Sequence, residues 1–208
     1  MTPTKLRDRF RREIDDVLGD AADDSAALFS DDEVLDFLND ALQWFVHDTR
    51  YVSEKLSLTV TANTAEVALP DNFITLRGDT GFLSTYNTYI KEVAYDMIDV
   101  DGTDDFGMTV TSGALNNTEV GQPRTFTRDM ESDSIILFPT PEADDTLVVL
   151  AFVEADPLAD FAGTLPITND RHARMLLNGM KHFAFGKLDA EVYDPRQEVL
   201  FGARFEAD

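Results

Sequence analysis

The hydrophobic period of this chain changes twice, and that change limits the fold more than any other feature. Leu6, Phe10, Ile14, Val17 and Leu18 recur at helical spacing after Thr2-Pro3, a cap followed by a first-turn proline. Gly19 reads as the stop, and residues 20–29 read as a polar linker. Ser30-Asp31-Asp32-Glu33 forms a capping box, with Glu33 three residues after Ser30. Leu35, Leu38, Leu42 and Phe45 follow on one face of a helix running to about Arg50, flanked by Val34, Phe37 and Ala41.

The period then falls to two. Leu56, Leu58, Val60 and Ala62 alternate with Ser57, Thr59 and Thr61, and Glu66 to Leu69 reads as a return strand after a turn at Asn63-Thr64. Residues 78–90 read as an exposed loop, 90–100 as strand or short helix, and 111–123 as a second polar loop. Residues 124–128, 135–138 and 147–153 read as three further strands. Helical spacing returns after Leu165-Pro166, with Thr168 as candidate cap and Met175, Leu176, Met180, Phe183 and Ala184 on one side. Asp194-Pro195 starts a closing helix, capped by Asp194, with Val199, Leu200 and Phe205 as its apolar side. The expectation is an α+β fold: a helical bundle formed by the N- and C-terminal helices (residues 1–54 with 164–208) and an inserted antiparallel β-rich region (residues 55–163).

Charge narrows the function. The 208 residues carry 40 acids against 17 bases, a formal charge of -23, with 28 Asp and only 5 Lys. The acids interleave with Phe, Leu and Val along most of the chain, unlike a disordered acidic tail. Such a charge costs stability by self-repulsion unless salt screens it, and the composition resembles that of proteins from salt-loving archaea. A duplex-binding protein needs a basic patch. The one basic cluster is Lys5, Arg7, Arg9, Arg11 and Arg12, so sequence-specific DNA binding is not expected. No apolar run approaches the roughly 20 residues that span a bilayer, and the N-terminus lacks a signal-peptide hydrophobic region, so neither membrane insertion nor export is expected.

Motifs for catalysis are missing. Without cysteine there is no disulfide, thiolate metal site or thiol nucleophile. There is no nucleophile elbow, phosphate-binding loop or dinucleotide fingerprint. His47, His172 and His182 lack ligand spacing; the last two would stand about 15 Å apart along one helix. The Asp99–Asp105 run is not an EF-hand, since its sixth and twelfth places hold Asp104 and Val110. It reads as a solvated acidic turn. No enzyme activity, cofactor or metal is expected. The residues suited to contacts are Trp44, Phe45, Tyr86, Tyr89, Phe201 and Phe205, large aromatics of the kind enriched at interfaces. Polar residues in the two long loops, among them Thr80, Gly81, Asn87, Asn116 and Asn117, suit adaptable contacts.

Five local patterns occur in order: Leu38-Asn39-Asp40-Ala41 in a helix, Leu69-Pro70 ending a strand, Gly121-Gln122-Pro123-Arg124-Thr125-Phe126 entering a strand, Pro139-Thr140-Pro141 leaving one, and Leu165-Pro166-Ile167 before a helix. Over about residues 30–190 this order resembles head-tail adaptor (connector) proteins of tailed viruses. The resemblance implies a homo-oligomeric ring, typically of twelve copies, docked on the viral portal protein and the next neck or tail protein. Its helical part would build the ring, and packaged DNA would pass through its channel. With the acidic composition, it implies a virion protein of a halophilic archaeal virus, assembled in the host cytoplasm. A stopper or tail-completion protein is the alternative within the same class. An intracellular halophilic binding protein or enzyme is the alternative outside it.

Overall fold

A computed structural model describes residues 2–14, 28–93, 120–129, 133–167, 169–187 and 194–207. Among the described residues, four helices and a large, mostly antiparallel sheet make the chain α+β. It divides into two compact units, Met1–Val52 with Glu154–Asp208, and Ser53–Val153.

The first unit holds the helices. Helix α1 (Pro3–Glu13) is capped by Thr2, whose hydroxyl accepts the Lys5 N–H. Its Leu6 and Phe10 are fully buried. Helix α2 (Asp31–Thr49) begins with the expected capping box: Ser30 Oγ accepts the Glu33 N–H at 3.2 Å, and Glu33 accepts the Ser30 N–H at 2.8 Å. The Lys187 ammonium also bonds the Glu33 carboxylate. That bond, with the capping bonds, holds the Glu33 pKa down at about 2. The buried stripe of α2 is Val34, Phe37, Leu38, Ala41, Leu42, Phe45 and Val46, so Leu38, Leu42 and Phe45 of the expected face are in it and Leu35 flanks it. Phe29, expected in a linker, is buried against Phe10 and Phe37, with ring centroids 6.4 and 5.2 Å away.

Helix α3 (Asp170–Gly186) packs against α2 and α4 (Pro195–Ala207). Its cap is Asn169, which accepts the Arg171 N–H at 3.0 Å, while Thr168 lies outside the described residues. Because α3 has a neighbour on two sides, residues 176–181 are all buried, including Asn178 and Lys181. Gly179 sits where the helices approach. A Cβ there would meet the Ala41 Cβ at 2.8 Å and the Phe205 ring at 2.9 Å. Helix α4 starts as its Asp194-Pro195 signal requires, with Asp194 Oδ1 accepting the Arg196 and Gln197 N–H groups. Its inner side is Gly202 and Phe205. Val199 and Leu200, expected to be its apolar side, face outward at 69% and 42% exposure.

The segment after the sheet belongs to this unit because α2 holds its backbone. The Asn39 amide makes a two-way bond with Leu158, donating to its carbonyl at 3.0 Å and accepting its N–H at 2.8 Å. Gln43 donates to the Ala155 carbonyl at 2.5 Å.

The second unit is a seven-stranded sheet in the order β1-β9-β3-β4-β6-β7-β2, with a two-stranded β5-β8 ribbon. The strands are β1 (Ser53–Val60), β2 (Glu66–Ala68), β3 (Phe73–Leu83), β4 (Thr88–Glu92), β5 (Val120–Gly121), β6 (Thr125–Asp129), β7 (Ser134–Phe138), β8 (Thr140–Pro141) and β9 (Asp145–Val153). Two expectations fail here. β2 does not return along β1 but pairs with β7, at the opposite edge of the ladder. Residues 78–90 are not a loop but most of a β3-β4 hairpin, with Phe82 opposite Tyr89 and Asn87 at φ 50° in its turn. Gly78, Asp79, Thr80 and Gly81 stand in a row there, so no alternation of apolar and polar residues marks the strand. The sheet is also not wholly antiparallel: β4 and β6 run parallel, as the long connection between them permits. The Asp99–Asp105 run, Asn116 and Asn117 lie outside the described residues.

All seven strands supply one core, comprising Leu58, Val60, Val67, Leu83, Ile90, Phe126, Ile135, Leu137, Leu147 and Val149. β7 is buried on both faces, with Ile136 and Phe138 packed beside Ala65 on its other side.

Substituting Gly179→Ala forces overpacking between Ala41 and Phe205, and should cost about 1–3 kcal/mol. Urea denaturation would show a lower midpoint at unchanged slope; an unchanged midpoint would mean the helices give way freely.

Candidate functional site

Seven of the 17 bases of this acidic chain pair with its own carboxylates. Arg7 and Arg11, one turn apart on α1, both bond Asp31 at the start of α2, at 2.9 and 2.7 Å. Arg11 is 5% exposed and also donates to the Phe29 carbonyl at 3.0 Å. Asp31 is well placed, since a carboxylate at a helix N-terminus is favoured by the helix dipole. Arg9 pairs with Glu13 one turn on, at 2.7 Å. Lys181, buried within α3, bonds the other Glu13 oxygen, and its ammonium lies 4.9 Å from the Phe201 ring centroid. Burial pushes the Glu13 pKa up, but its bonds to Lys181 and Arg9 outweigh that and hold it below the usual range. Three members of the basic run on α1, Arg7, Arg9 and Arg11, are thus fasteners within the fold.

The six aromatic candidates do not form one site. Phe45 and Phe205 are buried inside the helical unit at 1% and 2% exposure, so neither offers surface to a partner. Phe45 meets Tyr51 and His172. Trp44, half-buried, stacks on Phe205 at 4.2 Å and borders His182 and Phe183. Phe201 stacks on Phe185 at 5.7 Å, with the Arg204 guanidinium 5.5 Å from its centroid. In the β unit Tyr86 is half-buried against the core, with a buried hydroxyl that has no hydrogen-bond partner among the described residues. Tyr89 is 77% exposed and lies 5.0 Å from Phe82. Phe82 also pairs across β9 with Val148, two residues from the exposed Leu150. Tyr89, Phe82, Val148 and Leu150 therefore share the outward side of three adjacent strands.

The patterns quoted from the sequence have structural meaning. Asn39 and Ala41 are the α2 residues that hold Leu158 and meet Gly179. The glycine-proline and proline-proline patterns lie against each other: Val120-Gly121 pairs with Thr140-Pro141, and the Arg124 N–H donates to the Phe138 carbonyl at 2.7 Å. The Asn63 N–H reaches the Pro141 carbonyl at 2.7 Å.

Asp145, at the start of β9, is a buried charge of the β unit. Its carboxylate accepts the Thr85 and Thr146 N–H groups at 2.6 Å each and the Tyr86 N–H at 3.3 Å, tying the β3-β4 turn to the start of β9. Burial alone would raise its pKa; the backbone bonds from Thr85, Thr146 and Tyr86, with the Thr85 hydroxyl, outweigh it and hold the pKa below the usual range. An acid beside a second acid in a turn gives no signal of burial in one sequence. His47 is exposed, while His172 and His182 pack against aromatic rings on α3. Among the described residues no group of His, Asp and Glu is placed to hold a metal ion, and no helix is long and apolar enough to cross a membrane.

What these features define is a two-unit α+β chain whose polar side chains fasten backbone and whose outward aromatics offer contact surface. The sequence matches the SU10 adaptor protein family over residues 1–208, and the chain belongs to that family. A search of curated proteins returns no match. The family supports a phage head-tail adaptor, a structural component of the virion rather than an enzyme, with portal and tail proteins as the partners such an adaptor meets.

Asp145→Asn keeps one acceptor but removes the charge that three N–H groups address, and should cost about 1–3 kcal/mol. Because its folded pKa lies below the ordinary 3.8, Asp145 contributes fully above that value and loses its contribution as pH falls through the folded pKa. Stability measured from pH 6 downward should therefore fall less steeply in the variant than in the parent.

Proposed function

We propose that this chain builds the neck of a tailed virus as a ring, of twelve copies by the family pattern, beneath the portal. The ring joins the capsid to the next neck or tail protein and passes packaged DNA through its channel. The observation that carries the reading is the family match over the whole chain. The helical unit forms the ring and the β unit projects from it. Tyr89 with Leu150, and Trp44 with Phe201, are the aromatic and apolar groups for protein contact; Phe45 and Phe205 support them from within. Val199 and Leu200 add an outward apolar face on α4.

The charge fits a conduit. Each Lys or Arg contact to phosphate strengthens non-specific DNA binding, so a channel that lets a duplex slide should present few of them. Seven of the 17 bases, Arg7, Arg9, Arg11, Arg128, Lys91, Lys181 and Lys187, are each paired to a carboxylate, which weakens what they offer to phosphate. The same composition supports a halophilic archaeal host, with assembly in its cytoplasm. The reading includes no catalytic step, cofactor or metal.

Electron microscopy of virions should show the chain as a ring between portal and tail. A chain that is strictly monomeric and absent from virions would overturn the reading, and a ring placed lower in the stack would make it a stopper or tail-completion protein. Twelve copies at -23 each repel strongly in dilute buffer, so the isolated ring should loosen below roughly molar salt, where the Debye length exceeds about 3 Å. Native mass spectrometry after stepwise desalting reads this directly. A ring intact in dilute buffer would sink the halophilic part of the proposal and leave the adaptor part standing.

A further inference from the structure

The first turn of α3 and Arg9 of α1 border an open pocket of about 700 Å³, lined by Arg9, Asp170, Arg171, His172, Arg174 and Met175. Three guanidiniums face one carboxylate there, in a chain where acids outnumber bases by more than two to one. Arg171 and Arg174 are exposed and stand three residues apart, so they are neighbours on one helix face. Arg7, Arg9 and Arg11 each have a carboxylate partner, whereas neither Arg171 nor Arg174 has one among the described residues. The α3 N-terminus adds its partial positive charge. His172, whose ring rests on Phe45 and Tyr51, lines the same pocket, and its buried Nδ1 has no hydrogen-bond partner among the described residues.

We infer that this pocket receives carboxylates of a second copy of this chain. The inference rests on the ring proposed above and names one contact within it. Two copies at -23 each repel across almost any approach, so an interface between them must set the acids of one against unpaired cations of the other. Cations already paired inside the fold cannot serve without leaving a carboxylate bare. Arg171 and Arg174 can, and their planar forks match carboxylate oxygens two at a time. Duplex phosphate carries the same chemistry, but the summed charge of the chain drives a duplex away.

The experiment uses the full chain at one salt concentration at which the parent assembles. Sedimentation velocity over a protein dilution series compares the parent with R171A/R174A and R171K/R174K. The alanine pair should weaken self-association by about tenfold or more, and the lysine pair should recover part of it. Both side chains are exposed, so the thermal midpoint of the alanine pair should stay near that of the parent, which separates lost assembly from lost folding. An alanine pair that assembles like the parent overturns the inference and leaves the ring standing. A parent that stays monomeric at every concentration and salt overturns the ring and this contact together. A short DNA duplex that binds the parent at about 0.15 M salt but not the alanine pair assigns the pocket to phosphate and also overturns the inference.

Discussion

The β unit is organised by a covalent constraint. β1 and β2 are the two edges of the seven-stranded ladder, yet only residues 61–65 join them. Six gaps of about 4.8 Å would make a flat sheet about 29 Å wide. Six Cα steps of about 3.8 Å reach at most about 23 Å, and here the Thr64 N–H closes a tight turn on the Thr61 carbonyl. The sheet must therefore curl until its edges lie side by side. Once it has curled, one side of every strand faces one interior, which is why a single core draws residues from all seven strands. Curling also crowds the bend. Gly81 stands where β3, β4 and β9 converge, and a Cβ there would meet Leu147 Cδ1 at 2.7 Å. Just before it, β3 slips register against β9, which leaves residues 77–80 without β9 partners.

The helical unit is organised by buried or half-buried pairs of charge. Arg11 and Lys181 are almost fully enclosed, and each has its carboxylate. A buried pair is weak evidence for stability, but breaking one leaves an uncompensated charge and is costly. Such pairs therefore act on specificity: Asp31 can be satisfied by Arg7 and Arg11 only when α1 lies in one register beside α2. Asn39 acts similarly without charge. Its two-way bond fits a single placement of the backbone at Leu158.

Much of this was legible in the residues, and the failures share a cause. Both helical stretches, the Ser30 capping box and the Asp194-Pro195 start follow from local chemistry, which needs no knowledge of neighbours. The strands of residues 53–60, 134–138 and 145–153 are marked by their apolar spacing. Pairing partners are not local. Glu66 to Leu69 follows a turn and reads as the second arm of a hairpin, because nothing nearby records that β7 competes for it. The β3-β4 hairpin was hidden by Gly, Thr and Asn at outward or bulged positions. Val199 and Leu200 were assigned inward because helical spacing gives a face but not which face is covered. Of the candidate contact residues, Phe45 and Phe205 proved to be interior for the same reason: large aromatics serve cores and interfaces alike.

The charge of the chain acquires a different meaning once its bases are located. Removing repulsion by adding Lys or Arg to the surface would be simple for a monomer. In the DNA conduit proposed above, each added surface cation would become a phosphate contact, and passage would slow as binding strengthened. The arrangement seen in this chain avoids that conflict. Six cations, Arg7, Arg9, Arg11, Arg128, Lys181 and Lys187, sit where carboxylates already wait, at Asp31, Glu13, Glu33 and Glu92, so they hold the fold rather than add unpaired charge. The remaining excess of acid is then left to the solvent, and salt does the screening that surface cations would otherwise do. Under the proposed ring, Arg171 and Arg174 are exposed guanidiniums without a carboxylate partner among the described residues, which leaves them for acids of a second copy.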